Sequence, residues 1–312
     1  MGKRNFKTFY RSVRRNLIST EIFLGFFIGE YFRYLIFKFT MMKNIILFFA
    51  FVFSSFYFSQ GNSFVYELRF KPNPNKDSIK TVKTILDIKD FKSFFRTESQ
   101  RKDDSIFAAN NSRKMLNFGF EEQFFVEKNL KKGDINKIVI SGFDYYSLKI
   151  NEPFSWKISS EKGKIGDFDC QRADLEYGGR KWIAWFAAEI PFQDGPYVFH
   201  GLPGLIVEIK DENNNFLFTL NQVKKGSDFY DSKANKILVN WKTVDKLKLD
   251  YYNDPYKDFK PNSAGNNFSK VKYTDERGNE IVPDFKEWTE HEQKKIRENN
   301  NPIELSHKLD YK

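Results

Sequence analysis

The chain has 312 residues, 51 of them Lys or Arg and 41 Asp or Glu, for a net charge of +10. Nine of the basic residues, two of the acidic ones and 14 of the 36 Phe precede Gln60, which leaves 42 basic against 39 acidic residues in the 253 from there on. So small an excess over that length excludes an electrostatic nucleic-acid footprint, and what remains has the composition of one globular domain large enough to bury a core, or a domain plus an extension.

Residues 1–41 are apolar but broken by Glu21, Glu30, Arg33 and Lys38. They read as a stretch upstream of a translation start at Met41 or Met42, or as a membrane-associated extension. From Met42 the chain runs Met-Lys-Asn, then an apolar stretch over 45–58, then Ser59-Gln60-Gly61. A short cationic start, about 14 apolar residues and a small residue form the pattern of a secretory signal peptide over 42–59, too short to cross a bilayer comfortably. No Cys follows the run, so membrane contact is confined to this leader if it stays uncleaved. With one Cys, Cys170, no intrachain disulfide forms, and a domain of this size can do without one.

Period-2 alternation dominates the first two-thirds of the remaining chain. In SFVYELRF, residues 63–70, Phe64, Tyr66, Leu68 and Phe70 share one face and Val65, Glu67 and Arg69 the other. Further strands are expected over 81–88, 120–128, 135–140 and 153–159. In the last, Phe154, Trp156 and Ile158 alternate with Ser155 and Lys157. Turn signals stand between them at Pro72-Asn73-Pro74-Asn75, at Lys132-Gly133-Asp134 and around Gly163 and Gly166.

Residues 168–190 read as two strands joined by Gly178-Gly179, whose paired glycines supply the positive φ values of a tight hairpin. In the second arm Trp182, Ala184 and Phe186 face one way and Ile183, Trp185 and Ala187 the other. Both faces are apolar, which marks a central strand covered on both sides. In FHGLPGLIVEI, residues 199–209, Pro203 pushes Leu202 towards extended backbone and Gly204 suits the third position of a type II turn. A strand over 205–210, a turn over 211–215 and a return strand over 216–220 follow. The motif is thus a tight corner feeding a hairpin. It is no phosphate cradle, because no Lys-Ser/Thr follows and the next element is a strand.

Past Lys225 the chain turns polar and rich in Lys, Asp and Asn. A short helix is expected over 243–252 and an extended loop over 250–268. Asp284, with Glu287 three residues on, caps a second helix that carries Phe285, Trp288, Glu292 and Ile296 on one side.

Four segments stand in one order: Cys170, Gln171, Arg172 and Ala173; GGRKWIAWFA at 178–187, with Gly179, Arg180 and Trp185; IPFQDGPYVFHGLPGLI at 190–206; and NNPIEL at 300–305. The third contains Pro191, Gly195, Pro196, Gly201, Leu202, Pro203, Gly204, Leu205 and Ile206. Together they resemble the GLPGLI family of exported Bacteroidota proteins, over most of residues 62–225 plus the tail. The resemblance implies export and a Gram-negative envelope setting, and residues 1–41 have no place in its pattern. It brings no catalytic residues, because no biochemical function is established for that family.

Among chemistry-bearing residues, Cys170 and His200 form the one conceivable nucleophile–base pair near the motif core. His291-Glu292 begins a metalloprotease-like helix, but Lys295 stands where the second His is needed, and three His with one Cys make a zinc cluster improbable. Asp167 with Asp169, and Asp103-Asp104, read as solvated turn charges. Trp182 and Trp185, on opposite faces of one strand, are candidates for lining an apolar or glycan cavity, with core packing the commoner fate.

The expected fold is mostly β (α+β): a curved antiparallel sheet, half-barrel or open barrel, with C-terminal helices and an extended loop. Residues 60–225 form the β domain, and residues 226–312 a polar extension whose short helices dock on it. The expected function is that of an exported, noncatalytic protein of the periplasm or cell envelope, or a secreted one. It binds an apolar or peptide ligand, or an envelope protein, without cofactor, metal or nucleic acid. The competing readings are a thiol-dependent or other hydrolytic enzyme built on Cys170 and His200, and a structural component of an outer-membrane complex.

Overall fold

The computed structural model describes residues 38–43, 61–110, 124–142, 144–226, 235–260, 273–274 and 277–312. The chain divides into two compact units, Met1–Ser59 and Gln60–Lys312. In the first, residues 38–43 are helical. The expected leader over 42–59 and the stretch before it otherwise lie outside the described residues. Among the described residues no helix is long and apolar enough to cross a membrane.

The alternating segments of the second unit build one twelve-stranded sheet. β1 (Asn62–Phe70), β2 (Lys80–Lys89), β3 (Lys92–Thr97), β4 (Val126–Asn129), β5 (Asp134–Ser141) and β6 (Asp144–Lys149) pair antiparallel in sequence order. β7 (Lys157–Ile165), β8 (Phe168–Tyr177), β9 (Arg180–Ala187), β10 (Leu205–Asp211) and β11 (Phe216–Lys225) do the same. The two runs join where β11 pairs with β1, and β12 (Lys236–Val239) adds to β6 in parallel. The order is therefore β12-β6-β5-β4-β3-β2-β1-β11-β10-β9-β8-β7, open at both ends. A separate pair is made by β13 (Tyr273–Thr274) and β14 (Glu280–Ile281).

The open sheet is strongly curved. β5 and β8 stand eight places apart in the order, about 38 Å if the sheet were flat. Yet Lys137 of β5 and Tyr177 of β8 both reach the carboxylate of Glu304, at 2.9 and 3.1 Å. Bulges contribute to the bend, since an extra residue on one strand increases its local twist. They fall between Val65 and Tyr66 against β11, between Ile206 and Glu208 against β9, and between Ile158 and Lys162 against β8. The concave side holds the main core, with Phe64, Tyr66, Leu68 and Phe70 from β1, Ala173, Leu175 and Tyr177 from β8, and Trp182, Ala184 and Phe186 from β9. A smaller cluster on the opposite side gathers Cys170, Ala187 and Val207.

Among the described residues three α-helices accompany the sheet: α1 (Glu98–Asn110), α2 (Trp241–Asn253) and α3 (Phe285–Glu298). Asn240 caps α2 by accepting from the Thr243 amide at 3.0 Å, and Asp284, the cap expected from the sequence, caps α3 by accepting from Lys286 and Glu287. α1 corrects the reading of Asp103-Asp104 as turn charges. Both lie in the helix, and Asp104 pairs with the wholly buried Arg96, which also meets Asp87 at 3.3 Å. The strand expected over 153–159 starts only at Lys157. Phe154 and Trp156 instead pack against the concave core from extended backbone. Of the strand expected over 120–128, residues 126–128 lie in β4, and residues 120–123 lie outside the described residues.

Candidate functional site

The long motif between β9 and β10 is a loop laid into the concave side, where Tyr197, Val198, Phe199 and Leu202 are all buried. Lys128 of β4 pins it. The buried ammonium donates to the carbonyls of Gly195 at 2.7 Å and Tyr197 at 3.0 Å and pairs with Asp194 at 2.5 Å. Burial draws the Lys128 pKa below its ordinary value against the opposing pull of Asp194.

The Gly-Leu-Pro-Gly corner is tighter than a type II turn. The Gly204 amide donates to the Leu202 carbonyl at 2.8 Å, closing a three-residue turn around Pro203. The Leu205 amide, which a type II turn would direct to Leu202, donates to Ile190 at 3.1 Å instead. Gly204 itself answers to a close approach, because a Cβ built there would stand 2.3 Å from the Ala187 carbonyl oxygen.

The NNPIEL tail docks on the β8–β9 turn. Arg180 donates to the Ile303 carbonyl (3.0 Å), to Asn301 (2.6 Å) and to the Pro302 carbonyl (2.7 Å), and pairs with Asp211 (3.0 Å). Gly178 and Gly179, both at positive φ, make room for it: added Cβ atoms would lie 3.0 Å from the Glu304 Cα and 3.3 Å from the Ser306 amide. Asn301 donates in turn to the Lys71 carbonyl at 2.6 Å. The paired glycines, Arg180 and NNPIEL are thus two halves of one contact.

That contact delivers Glu304 to the interior. One carboxylate oxygen accepts from the Tyr177 hydroxyl at 3.1 Å and the Tyr197 hydroxyl at 2.5 Å, and the other pairs with Lys137 at 2.9 Å. Burial pushes the Glu304 carboxyl up, but Lys137, the Tyr197 hydroxyl and Lys248 together hold it below its ordinary value. Burial, with the Glu304 charge added, raises both tyrosines well above theirs.

Beside Glu304 lies a recess of about 80 Å³ between β5, α2, α3 and the tail. By this measure a water needs about 10–15 Å³, so the space suits a group of a few heavy atoms. Phe70, Val139, Val244 and Ile296 give it apolar walls, and Lys137, Lys248 and Glu304 give it polar ones. Lys248 of α2 has its pKa pushed down to about 8, by burial first and then by Lys137. Trp241 stacks on His307 with ring centroids 3.7 Å apart, and both Lys137 and Lys248 stand 6.0 Å from the Trp241 ring.

The residues singled out from the sequence occupy other places. Cys170 is buried on the convex side, donates to the Phe168 carbonyl at 3.4 Å, and has its thiol pKa raised by burial. His200 sits with the concave cluster, its ring 4.6 Å from Phe154 and its Nδ1 2.8 Å from the Val198 carbonyl. Burial lowers its pKa. Trp182 is wholly buried against Phe199, and its indole N–H donates to the Tyr177 carbonyl at 3.1 Å. Trp185, half-buried on the convex side, leaves room only for Gly163, where an added Cβ would lie 3.0 Å from its ring. Gln171 ties β8 to the Ser159 carbonyl at 2.7 Å, Arg172 pairs at the surface with Glu161 and Asp174, and Ala173 belongs to the concave core. Gly195 fits under Ile206, at 2.8 Å for an added Cβ, while Pro191 and Gly201 are exposed and Pro196 is buried. Among the described residues no three His, Cys, Asp or Glu side chains converge as a metal site requires. Lys137 and Lys248 carry no sequence signal, being two lysines among many.

The family described as "Protein of unknown function (Porph_ging)" matches residues 176–208, the β8–β9 turn through the corner. No curated protein matches the chain. Among solved structures, PNGF-II in a C2 crystal form is similar at 15% identity and TM-score 0.45, covering 61% of this chain and 33% of that one. A P21 form gives 16% and 0.43 over the same shares. The LolA superfamily protein NE2245 from Nitrosomonas europaea is similar at 9% identity and TM-score 0.25, covering 57% of this chain and 91% of that one. The chain thus spans about a third of the length of the PNGF-II chains it matches.

Proposed function

We propose that this is an exported cell-envelope protein of the GLPGLI type that binds a ligand without transforming it, and that the recess beside Glu304 is the seat. The observation carrying this reading is the recess itself: apolar walls and a fixed ion pair, assembled from the sheet, two helices and the tail. Such a mixture orients a ligand in the way binding pockets generally do. The Met42 leader pattern supports export, and the four ordered motifs support the family assignment. A thiol-dependent hydrolase would need an exposed, low-pKa Cys170 in reach of His200. Cys170 is buried on the convex side instead, while His200 packs against Phe154.

Native and denaturing mass spectrometry of protein purified from its envelope tests the reading. The expected result is a mature start near Gln60, extra native mass lost on denaturation, and slow iodoacetamide labelling of folded Cys170. A native mass equal to the denatured one, with rapid labelling of Cys170, would turn the assignment towards the enzyme.

A further inference from the structure

Three lysines, Lys80, Lys137 and Lys248, line the recess, and Glu304 is the carboxylate among its walls. Glu304 is fully engaged, one oxygen by Lys137 and the other by the Tyr177 and Tyr197 hydroxyls. Lys248 has no carboxylate within ion-pair distance among the described residues, and its ammonium stands 6.0 Å from the Trp241 ring. Its α2 neighbour Asp245 lies farther off and acts on it only through the longer-range field, as Glu304 does. Lys248 is partly withdrawn from water with no carboxylate in ion-pair contact, and burial and Lys137 outweigh the pull of Glu304 and Asp245 on its pKa. An anion in the recess would restore the balance.

Resting on the reading of the recess as a ligand seat, we propose that it takes a small aliphatic carboxylate, or the carboxylate end of a longer chain. The carboxylate meets Lys248 Nζ, and the aliphatic part lies against Phe70, Val139 and Ile296. The walls distinguish this from an inorganic anion site, since they offer apolar surface a few atoms from the free ammonium. The volume of about 80 Å³ limits the enclosed part to a few heavy atoms. The stacked Trp241–His307 pair backs both lysines and holds their side of the recess.

The test is saturation-transfer NMR on the intact chain with sodium butyrate, 1-butanol and sodium phosphate at fixed ionic strength. It is run on the wild type and on Lys248→Met, which keeps the stem and removes the charge. Saturable butyrate binding at least tenfold tighter than butanol, with that preference lost in K248M and no competition from phosphate, is the expected result. Equal binding of butyrate and butanol, unchanged in K248M, would overturn the carboxylate assignment and leave the recess as an apolar seat. Competition by phosphate at equal concentration would overturn the ligand class in favour of any small anion. No saturable butyrate binding would overturn the proposal outright, while the native-mass measurement still decides separately whether the protein carries a ligand at all. Retained butanol binding or an unchanged melting temperature shows that K248M is folded.

Discussion

At the scale of single residues, the motif glycines divide by what crowds them. Gly204 stands where a Cβ would enter the van der Waals shell of the Ala187 carbonyl, at 2.3 Å, so backbone rather than a flexible side chain blocks it. Gly133 also has positive φ, at 68°, but an added Cβ would meet nothing within 4 Å. Gly204→Ala is therefore expected to cost about 3 kcal/mol or more, and Gly133→Ala about 1 kcal/mol, the strain of the left-handed backbone alone. Urea unfolding of both variants checks this, and equal losses would show that the close approach at Gly204 relaxes freely. Lys128 makes the same point for a polar group. It shares the buried face of its strand with Phe124 and Val126, an apolar setting in which a lysine is unexpected, and lies under three carbonyls and Asp194. Only the loop laid across β4, folded from 67 residues downstream, explains that burial.

Among the elements, the contact between the β8–β9 turn and the tail joins two motifs more than 120 residues apart through one guanidinium. A lysine reaches one or two of those acceptors but cannot span the fork. Arg180→Lys is expected to cost about 3 kcal/mol and to raise amide hydrogen exchange in residues 300–308 before the sheet is affected. Unchanged tail protection in R180K would mean that packing of Ile303, not the guanidinium, holds the segment. α1 carries a local start signal of its own. Thr97 and Gln100 form a capping box, the Thr97 hydroxyl accepting from the Gln100 amide at 3.2 Å and the Gln100 side chain accepting from the Thr97 amide at 3.0 Å. Thr-x-x-Gln was legible ahead of a thirteen-residue helix. Its weak amphipathicity hid it, because the helix attaches to the sheet through Arg96, Arg101 and Asp104 as much as through an apolar stripe.

For the folded unit as a whole, curvature is closed by Glu304, which ties β5, β8, the long loop and the tail to one carboxylate. Its folded-state pKa lies below the ordinary value of 4.5. The sign follows from that depression: the stabilisation is present above the unfolded-state pKa and is lost as pH falls through the folded one. Glu304→Gln should therefore be less stable than wild type at pH 7 by about 3 kcal/mol, with the gap narrowing towards pH 3 as the wild-type carboxyl protonates. Urea unfolding at the two pH values measures it, and a gap that stays constant would remove Glu304 from the acid response. Local chemistry in the sequence determined much of this molecule. Side-chain alternation marked β1, β2, β5 and the β8–β9 and β10–β11 hairpins, and a capping aspartate marked α3. These are legible because period, turn chemistry and caps act over a few residues. Tertiary structure alone decided the parallel pairing of β12 with β6, the bend that brings β5 to β8, the burial of Lys128 and the recess beside Lys248. Each depends on segments far apart in the chain, where burial and charge balance belong to the partners and not to the local pattern.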